Sequence, residues 1–309
     1  MSESSSESSL EPLKHQQIEK RSPKHWLRPV VITGIAIASL YGTACAGLWF
    51  GQTRLVFAPK KEITTTPATF NAKYEDVLIP VKNVDGTNEN IFGWWLPNAQ
   101  QEQKAIGDRK VLLYLHGNGK NVSANAQHAN RLMGMGFSVL LIDYRGYGKS
   151  EGGFPSESNV YTDAQTAWDY LIAKGFQPNQ IMIYGHSLGG AIAINLATKH
   201  PDALGMIVDS SFTSMIDMAM LDPRFRVFPI DLLIHQRFDS LSKVRSLSVP
   251  VLFIHGTADE LIPTAMSQQL YDATSTKKKL VMVRNAMHNT TAKTNESLYR
   301  DSILSFFNL

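Results

Sequence analysis

The chain has 309 residues, 43% of them hydrophobic and 18% charged, and a net charge of +3. That length accommodates one large α/β domain plus extra segments, and the composition is that of a globular protein. The small charge, with no basic stripe interleaved with aromatics, argues against a nucleic-acid partner. A single cysteine, Cys45, excludes an internal disulfide and a thiolate metal cluster.

Residues 1–28 read as a disordered polar tail. It begins with a Ser/Glu run too poor in apolar residues to fold and ends in basic residues, Lys14, Lys20, Arg21, Lys24 and Arg28. Pro29 to Thr53 carries no charge. Its apolar part, residues 29–50, would span ~33 Å as a helix, enough for a bilayer core, and ends on Trp49 and Phe50, aromatics suited to an interface. Ala44-Cys45-Ala46 also fits a signal-peptidase site, and Cys45 a weaker lipoprotein site. The long basic region ahead and the apolar continuation through Leu48-Trp49-Phe50 favour an uncleaved, single-pass anchor. Twenty residues before the span carry five Lys/Arg and the twenty after it three, which leans the globular part to the non-cytoplasmic side.

Residues 51–73 read as a linker into a domain covering 74–309. Tyr74–Pro80 and Asn90–Pro97 read as strands joined at the turn Val84-Asp85-Gly86-Thr87, hence as an antiparallel pair. Residues 100–108 are polar loop. From Lys110 onward, short apolar strands alternate with helical segments. The strands are 111–115, 138–142, 181–184, 205–208, 251–254 and 280–283; the helices lie near 122–134, 158–174, 189–199, 264–273 and 294–307. Alternation of this kind implies βαβ units and a mostly parallel central sheet with helices on both faces. One connection, about 212–249, is too long for a plain crossover and too apolar for a free loop. It reads either as a small helical cap lining an acyl or side-chain pocket, or as ordinary helical packing on the sheet.

The chemistry is concentrated in Ile181-Met182-Ile183-Tyr184-Gly185-His186-Ser187-Leu188-Gly189. An apolar strand runs into G-x-S-x-G and then into an apolar helical segment, the strand–turn–helix context of a nucleophile elbow. Gly185 and Gly189 are needed where strand and helix backbones crowd, and Ser187 is held at the tip over a helix N-terminus. A serine hydroxyl needs a base, and the base needs an orienting acid. Among the nine histidines only His288 lies beyond the last sheet strand, where a base is expected in the order Ser, acid, His. Asp259, just past the strand 251–254, is the preferred acid, with Asp209 at the end of 205–208 as rival. The backbone N–H groups of Leu188 and Asn118 are the expected oxyanion donors. His116, His186 and His255 read as structural residues at tight turns. Asp143 and Arg145 read as loop braces around the turn glycines 146 and 148.

In this order and at these strand ends, Ser187, Asp259 and His288 with Gly185–Gly189 and His116–Gly119 resemble the α/β-hydrolases. Further stretches are similar to the small single-pass membrane α/β-hydrolase-domain proteins: Gln52–Pro59 after an N-terminal span, Leu115–Asn121, Asp143–Gly152 and Ser210–Ser214. The resemblance implies an α/β-hydrolase fold with an N-terminal transmembrane helix. It implies a serine hydrolase acting on carboxylic esters or thioesters, of lipid or acyl-protein type, that needs no cofactor and no metal. A peptidase or amidase on the same site is the alternative within the chemistry. A catalytically silent membrane scaffold is the alternative outside it, disfavoured because no member of the expected site is missing.

Overall fold

The structure is a computed structural model, which describes residues 24–83 and 86–309. Most of the polar tail and two residues of the expected hairpin turn, 84 and 85, lie outside the described residues.

In chain order the elements are α1 (Lys24–Val56), β1 (Ala58–Pro59), β2 (Glu75–Lys82), β3 (Asn88–Leu96), α2 (Ala99–Glu102), β4 (Val111–Leu115), β5 (Gly119–Lys120), α3 (Val122–Met133), β6 (Ser138–Ile142), α4 (Glu157–Ala173), β7 (Ile181–His186), α5 (Leu188–Ala197), β8 (Gly205–Asp209), α6 (Met215–Met220), α7 (Ile230–Leu233), α8 (Ser240–Lys243), β9 (Val251–Gly256), α9 (Thr264–Ala273), β10 (Lys278–Val283), α10 (Thr291–Thr294) and α11 (Glu296–Phe307). Eight strands form one sheet in the order β10-β9-β8-β7-β4-β6-β3-β2. β2 and β3 pair antiparallel, as do β3 and β6; every other pairing in this sheet is parallel.

Period-two alternation divides each buried strand between two cores. On β4, Val111, Leu113 and Leu115 face one core with α4, α5 and α9 (Val160, Ile192, Leu270), while Leu112 and Tyr114 face the other with α3 and α11 (Ala126, Leu132, Tyr299). This two-sided burial is why the strands read as continuous apolar runs. The chain therefore has the expected α/β-hydrolase architecture.

The chain divides into two compact units, Met1–Ala46 and Gly47–Leu309. In the first, α1 presents apolar side chains such as Ile32, Ile35 and Leu40 to the outside. Among the described residues, Leu27–Val56 is one helix long and apolar enough to cross a membrane.

The second unit begins well before Tyr74, and residues 51–73 are part of its packing. Phe57 is buried in the core and β1 pairs in parallel with β5. The Lys60 carbonyl accepts from Gly148 N–H and from the Asn121 side chain (both 2.9 Å). The connection 212–249 is divided in its behaviour. Its first half, through α6 and α7, is half-exposed and lines cavities above the strand ends. Its second half is ordinary packing on the sheet: Val244, Leu247 and Val249 are buried in the core with α9.

Candidate active site

β7 ends at His186, and α5 begins at Leu188, so one residue makes the turn. Ser187 makes it with φ 56° and ψ −121°, a left-handed backbone that costs a non-glycine residue of order 1–3 kcal/mol. The surroundings enforce it. Ser187 N–H donates to the Asp209 carbonyl (2.9 Å), and the Ser211 hydroxyl donates to the Ser187 carbonyl (2.9 Å). A Cβ on Gly185 would lie 2.2 Å from the Gly189 carbonyl oxygen, and one on Gly189 would lie 2.0 Å from that of Leu115. Neither position admits a side chain, so the strand and helix approach closely enough to expose Ser187 at the tip.

Ser187, His288 and Asp259 come together from three different strand ends. His288 Nε2 is 3.0 Å from Ser187 Oγ, and His288 Nδ1 is 2.7 Å from Asp259 Oδ2. A carboxylate only accepts, so Nδ1 carries the proton and Nε2 is left to accept from the serine hydroxyl. The His288 backbone is held by His186, whose Nε2–H donates to the His288 carbonyl (3.0 Å). Burial, reinforced by the neighbouring His288 ring against the pull of Asp209, lowers the His186 pKa and keeps it a neutral support.

The Asp259 side chain is fully enclosed. Its Oδ1 accepts from Leu261 N–H and Ile262 N–H (2.9 Å each), which fixes the plane of the carboxylate and directs Oδ2 at the imidazole. Burial alone would raise its pKa. Hydrogen bonds from His255, His288 and the Ile262 N–H outweigh that and hold the carboxyl well below the usual range. His255, read from the sequence as a turn residue, is a direct neighbour of the acid, with Nε2 3.1 Å from Asp259 Oδ2. That nitrogen is also 3.0 Å from the Ile262 carbonyl, so it faces two acceptors and must be protonated. Nδ1 then accepts from Ser267 (2.6 Å). Nothing in the local pattern around His255 signals this contact.

Asp209 is occupied elsewhere. It is buried beneath the site and accepts from Thr291 Oγ1 (2.9 Å), Tyr299 (3.1 Å) and Tyr184 (3.2 Å). Asp143 lies 3.1 Å from His116 Nε2 and accepts from Val122 N–H (2.8 Å). Arg145 pairs with buried Asp163 (2.6 Å). Both belong to the scaffold of the loops.

Ser187 opens into a cavity of about 520 Å³. Its lining includes Leu188, Gly117 and Asn118, the apolar Met215, Met218 and Phe212, and the polar Lys120, Asn125 and Asn289. Leu188 contributes the first N–H of α5, one of the four at a helix start with no intrahelical partner. The loop is held at the following peptide, where the Asn118 carbonyl accepts from Ala58 N–H (3.0 Å) and from the Tyr147 hydroxyl (2.6 Å). Such an array can take the proton from a serine hydroxyl and offer donors to an oxyanion at the same carbonyl.

The family profile "Serine aminopeptidase, S33" matches residues 107–228 and 233–295. The chain belongs to this family of α/β-hydrolases. It is 32% identical over 243 residues to Protein bem46 of Schizosaccharomyces pombe, covering 75% of this chain and 76% of that one. It is 31% identical over 243 residues to an uncharacterized protein of Mycobacterium tuberculosis, covering 78% and 82% respectively. An esterase of Pyrococcus furiosus superposes with a TM-score of 0.65 at 21% identity, covering 82% of this chain and 97% of that one, a likeness of fold. The hydrolase fold and family expected from the elbow and its flanking strands are thus those of the chain.

Proposed function

We propose that the chain is a membrane-anchored serine hydrolase that cleaves carboxylic esters or thioesters through an acyl-enzyme. The observation that carries this reading is the continuous array from Ser187 Oγ to His288 (3.0 Å) to Asp259 (2.7 Å) at a cavity wall. Ser187 Oγ attacks the carbonyl carbon as His288 Nε2 takes its proton, and the Leu188 and Asn118 N–H groups receive the developing oxyanion. His288 returns the proton to the departing alcohol or thiol. Water then enters, loses a proton to His288, and releases the acid. Asp259, ionised throughout, stabilises the imidazolium in both halves. The anchor is assigned to residues 29–50 on the length and apolar composition of the helix, and the basic residues before it support a catalytic domain on the non-cytoplasmic side.

The family's aminopeptidase description makes peptide hydrolysis the second reading. A free peptide N-terminus is a cation, which a negative group near the scissile bond would favour. Among the described residues lining the cavity over Ser187 there is no Asp or Glu, and Lys120 contributes a positive charge. This favours a neutral or anionic ester over a cationic peptide end. Membranes carrying the wild type or Ser187→Ala are to be treated with a fluorescent fluorophosphonate. Labelling of the wild type alone supports an activated serine; a folded wild type that takes no probe sinks the proposal. Faster turnover of aminoacyl coumarin amides than of p-nitrophenyl esters would select the peptidase.

A further inference from the structure

A second cavity, of about 270 Å³, adjoins the one over Ser187 and shares Asn118, Met215 and Met218 with it. Its walls come from two sources. Leu48, Leu55 and Val56 belong to the last turns of α1, the same helix that carries the apolar span. Ala219, Phe225 and Leu233 belong to the cap. Apart from Gln52, Asn118 and Gln236, the lining is entirely apolar.

Gln52 makes the contact between these walls a built one. It is 5% exposed, whereas the neighbouring polar residues of the helix end, Thr53 and Arg54, are not buried. Its Oε1 accepts from His235 N–H and Gln236 N–H (2.9 Å each). Its amide nitrogen, with two hydrogens, faces the Leu233 carbonyl (3.1 Å) and His235 Nδ1 (2.6 Å) of the cap and the Trp49 carbonyl of its own helix (3.0 Å). A buried amide satisfied on both ends fixes the distance between helix and cap, because separating them leaves Oε1 desolvated and without a donor. The same helix end is tied to the oxyanion loop: the Asn118 side chain donates to the Val56 carbonyl (3.2 Å).

Resting on the hydrolase reading above, we propose that this second cavity is the acyl subsite and that the substrate is an ester or thioester of a linear aliphatic acid of medium or greater length. With the carbonyl at Ser187, the two arms of an ester must leave in different directions. Met215 and Met218 line both cavities, so the acyl arm is assigned to the apolar one, where hydrocarbon loses no hydrogen bonds and gains burial. Lys120, Asn125 and Asn289 line the first cavity and not the second, and they receive the polar leaving group, a headgroup or a peptide thiol. The last turns of α1 therefore form part of the substrate site.

The test uses the full-length, detergent-solubilised chain and p-nitrophenyl esters from acetate to palmitate. Wild-type kcat/KM is expected to climb by up to about fourfold per methylene while the chain fills the cavity, then level off. Ala219→Phe fills the cavity and lowers the decanoate-to-acetate ratio of kcat/KM by about tenfold or more. Phe225→Ala enlarges it and moves the plateau to longer chains. Opposite shifts from two variants cannot arise from partial unfolding. A wild type that takes the fluorophosphonate but shows a flat or falling chain-length profile overturns the inference and leaves the hydrolase reading standing. So does a rising profile that neither variant moves. A folded wild type that takes no probe overturns the hydrolase reading and this inference with it.

Discussion

Asparagine at position 259 attacks the array at its most constrained point. Oδ1 is fixed by two backbone N–H groups at 2.9 Å, so the new amide keeps its oxygen there and turns its NH2 toward His288. A donor then faces His288 Nδ1 at 2.7 Å, where an acceptor stood. The imidazole responds by moving its proton to Nε2, which now points a hydrogen at Ser187 and cannot act as base. In a serine-protease triad the same substitution lowers kcat by about 10⁴, equivalent to about 5.5 kcal/mol of barrier at 1.36 kcal/mol per tenfold; a similar loss is expected here. Asp209→Asn is the matched control. It disturbs hydroxyl donors from Tyr184, Tyr299 and Thr291 and leaves the His288 tautomer alone. Each variant is expected to lose about 1–3 kcal/mol of stability from weakened buried hydrogen bonds, so melting temperature does not separate them and kcat does. The assay is p-nitrophenyl butyrate hydrolysis by full-length protein, with melting followed by intrinsic fluorescence. Asp209→Asn is expected to stay within about tenfold of wild type in kcat. If it falls as far as Asp259→Asn or further, the acid has been misassigned.

Gly189→Ala is expected to yield no folded protein, because its methyl would sit 2.0 Å from one backbone oxygen and 2.6 Å from another; Gly107→Ala, with nothing within 4 Å, is expected to express as wild type. Ser187→Gly is expected to melt above Ser187→Ala, by about 1 kcal/mol or more, because only glycine is at ease at φ 56°; equal melting would remove the strain argument. The folded-state pKa of Asp259 is depressed, so the stability it contributes is present above the ordinary carboxylate range and is lost as the pH falls from there toward the folded-state value. The melting temperatures of wild type and Asp259→Asn should therefore converge below about pH 4; a gap that persists unchanged into acid contradicts the assignment. Alkaline carbonate is expected to leave the chain in the membrane pellet, and a mature N-terminus at Gly47 by mass spectrometry would rule out the anchor.

The legible part of this protein is the part whose physics is local. Strand and helix assignments follow from apolar runs and their period, and the elbow follows from two glycines that a backbone crossing demands at fixed spacing from Ser187. The position of His288 beyond the last strand is likewise a statement about chain order. Which carboxylate meets it is another matter. Asp209 and Asp259 both stand at strand ends, and only the packed structure gives Asp209 to Tyr184, Tyr299 and Thr291 and leaves Asp259 Oδ2 for the imidazole. The same holds for residues 51–73, which have no period to read because their order comes from pairing with loops about 60 residues away. Gln52 is the clearest case. In sequence it is one of three consecutive polar residues, with Thr53 and Arg54, at the end of an apolar helix. Its meaning lies in partners at 233–236, and a hydrogen bond to a backbone group leaves no trace in the identity of the residue that supplies it. The sequence determined the elements, the elbow and the order of the site; tertiary packing decided which acid faces the histidine, and made the end of α1 a wall of the cavity system.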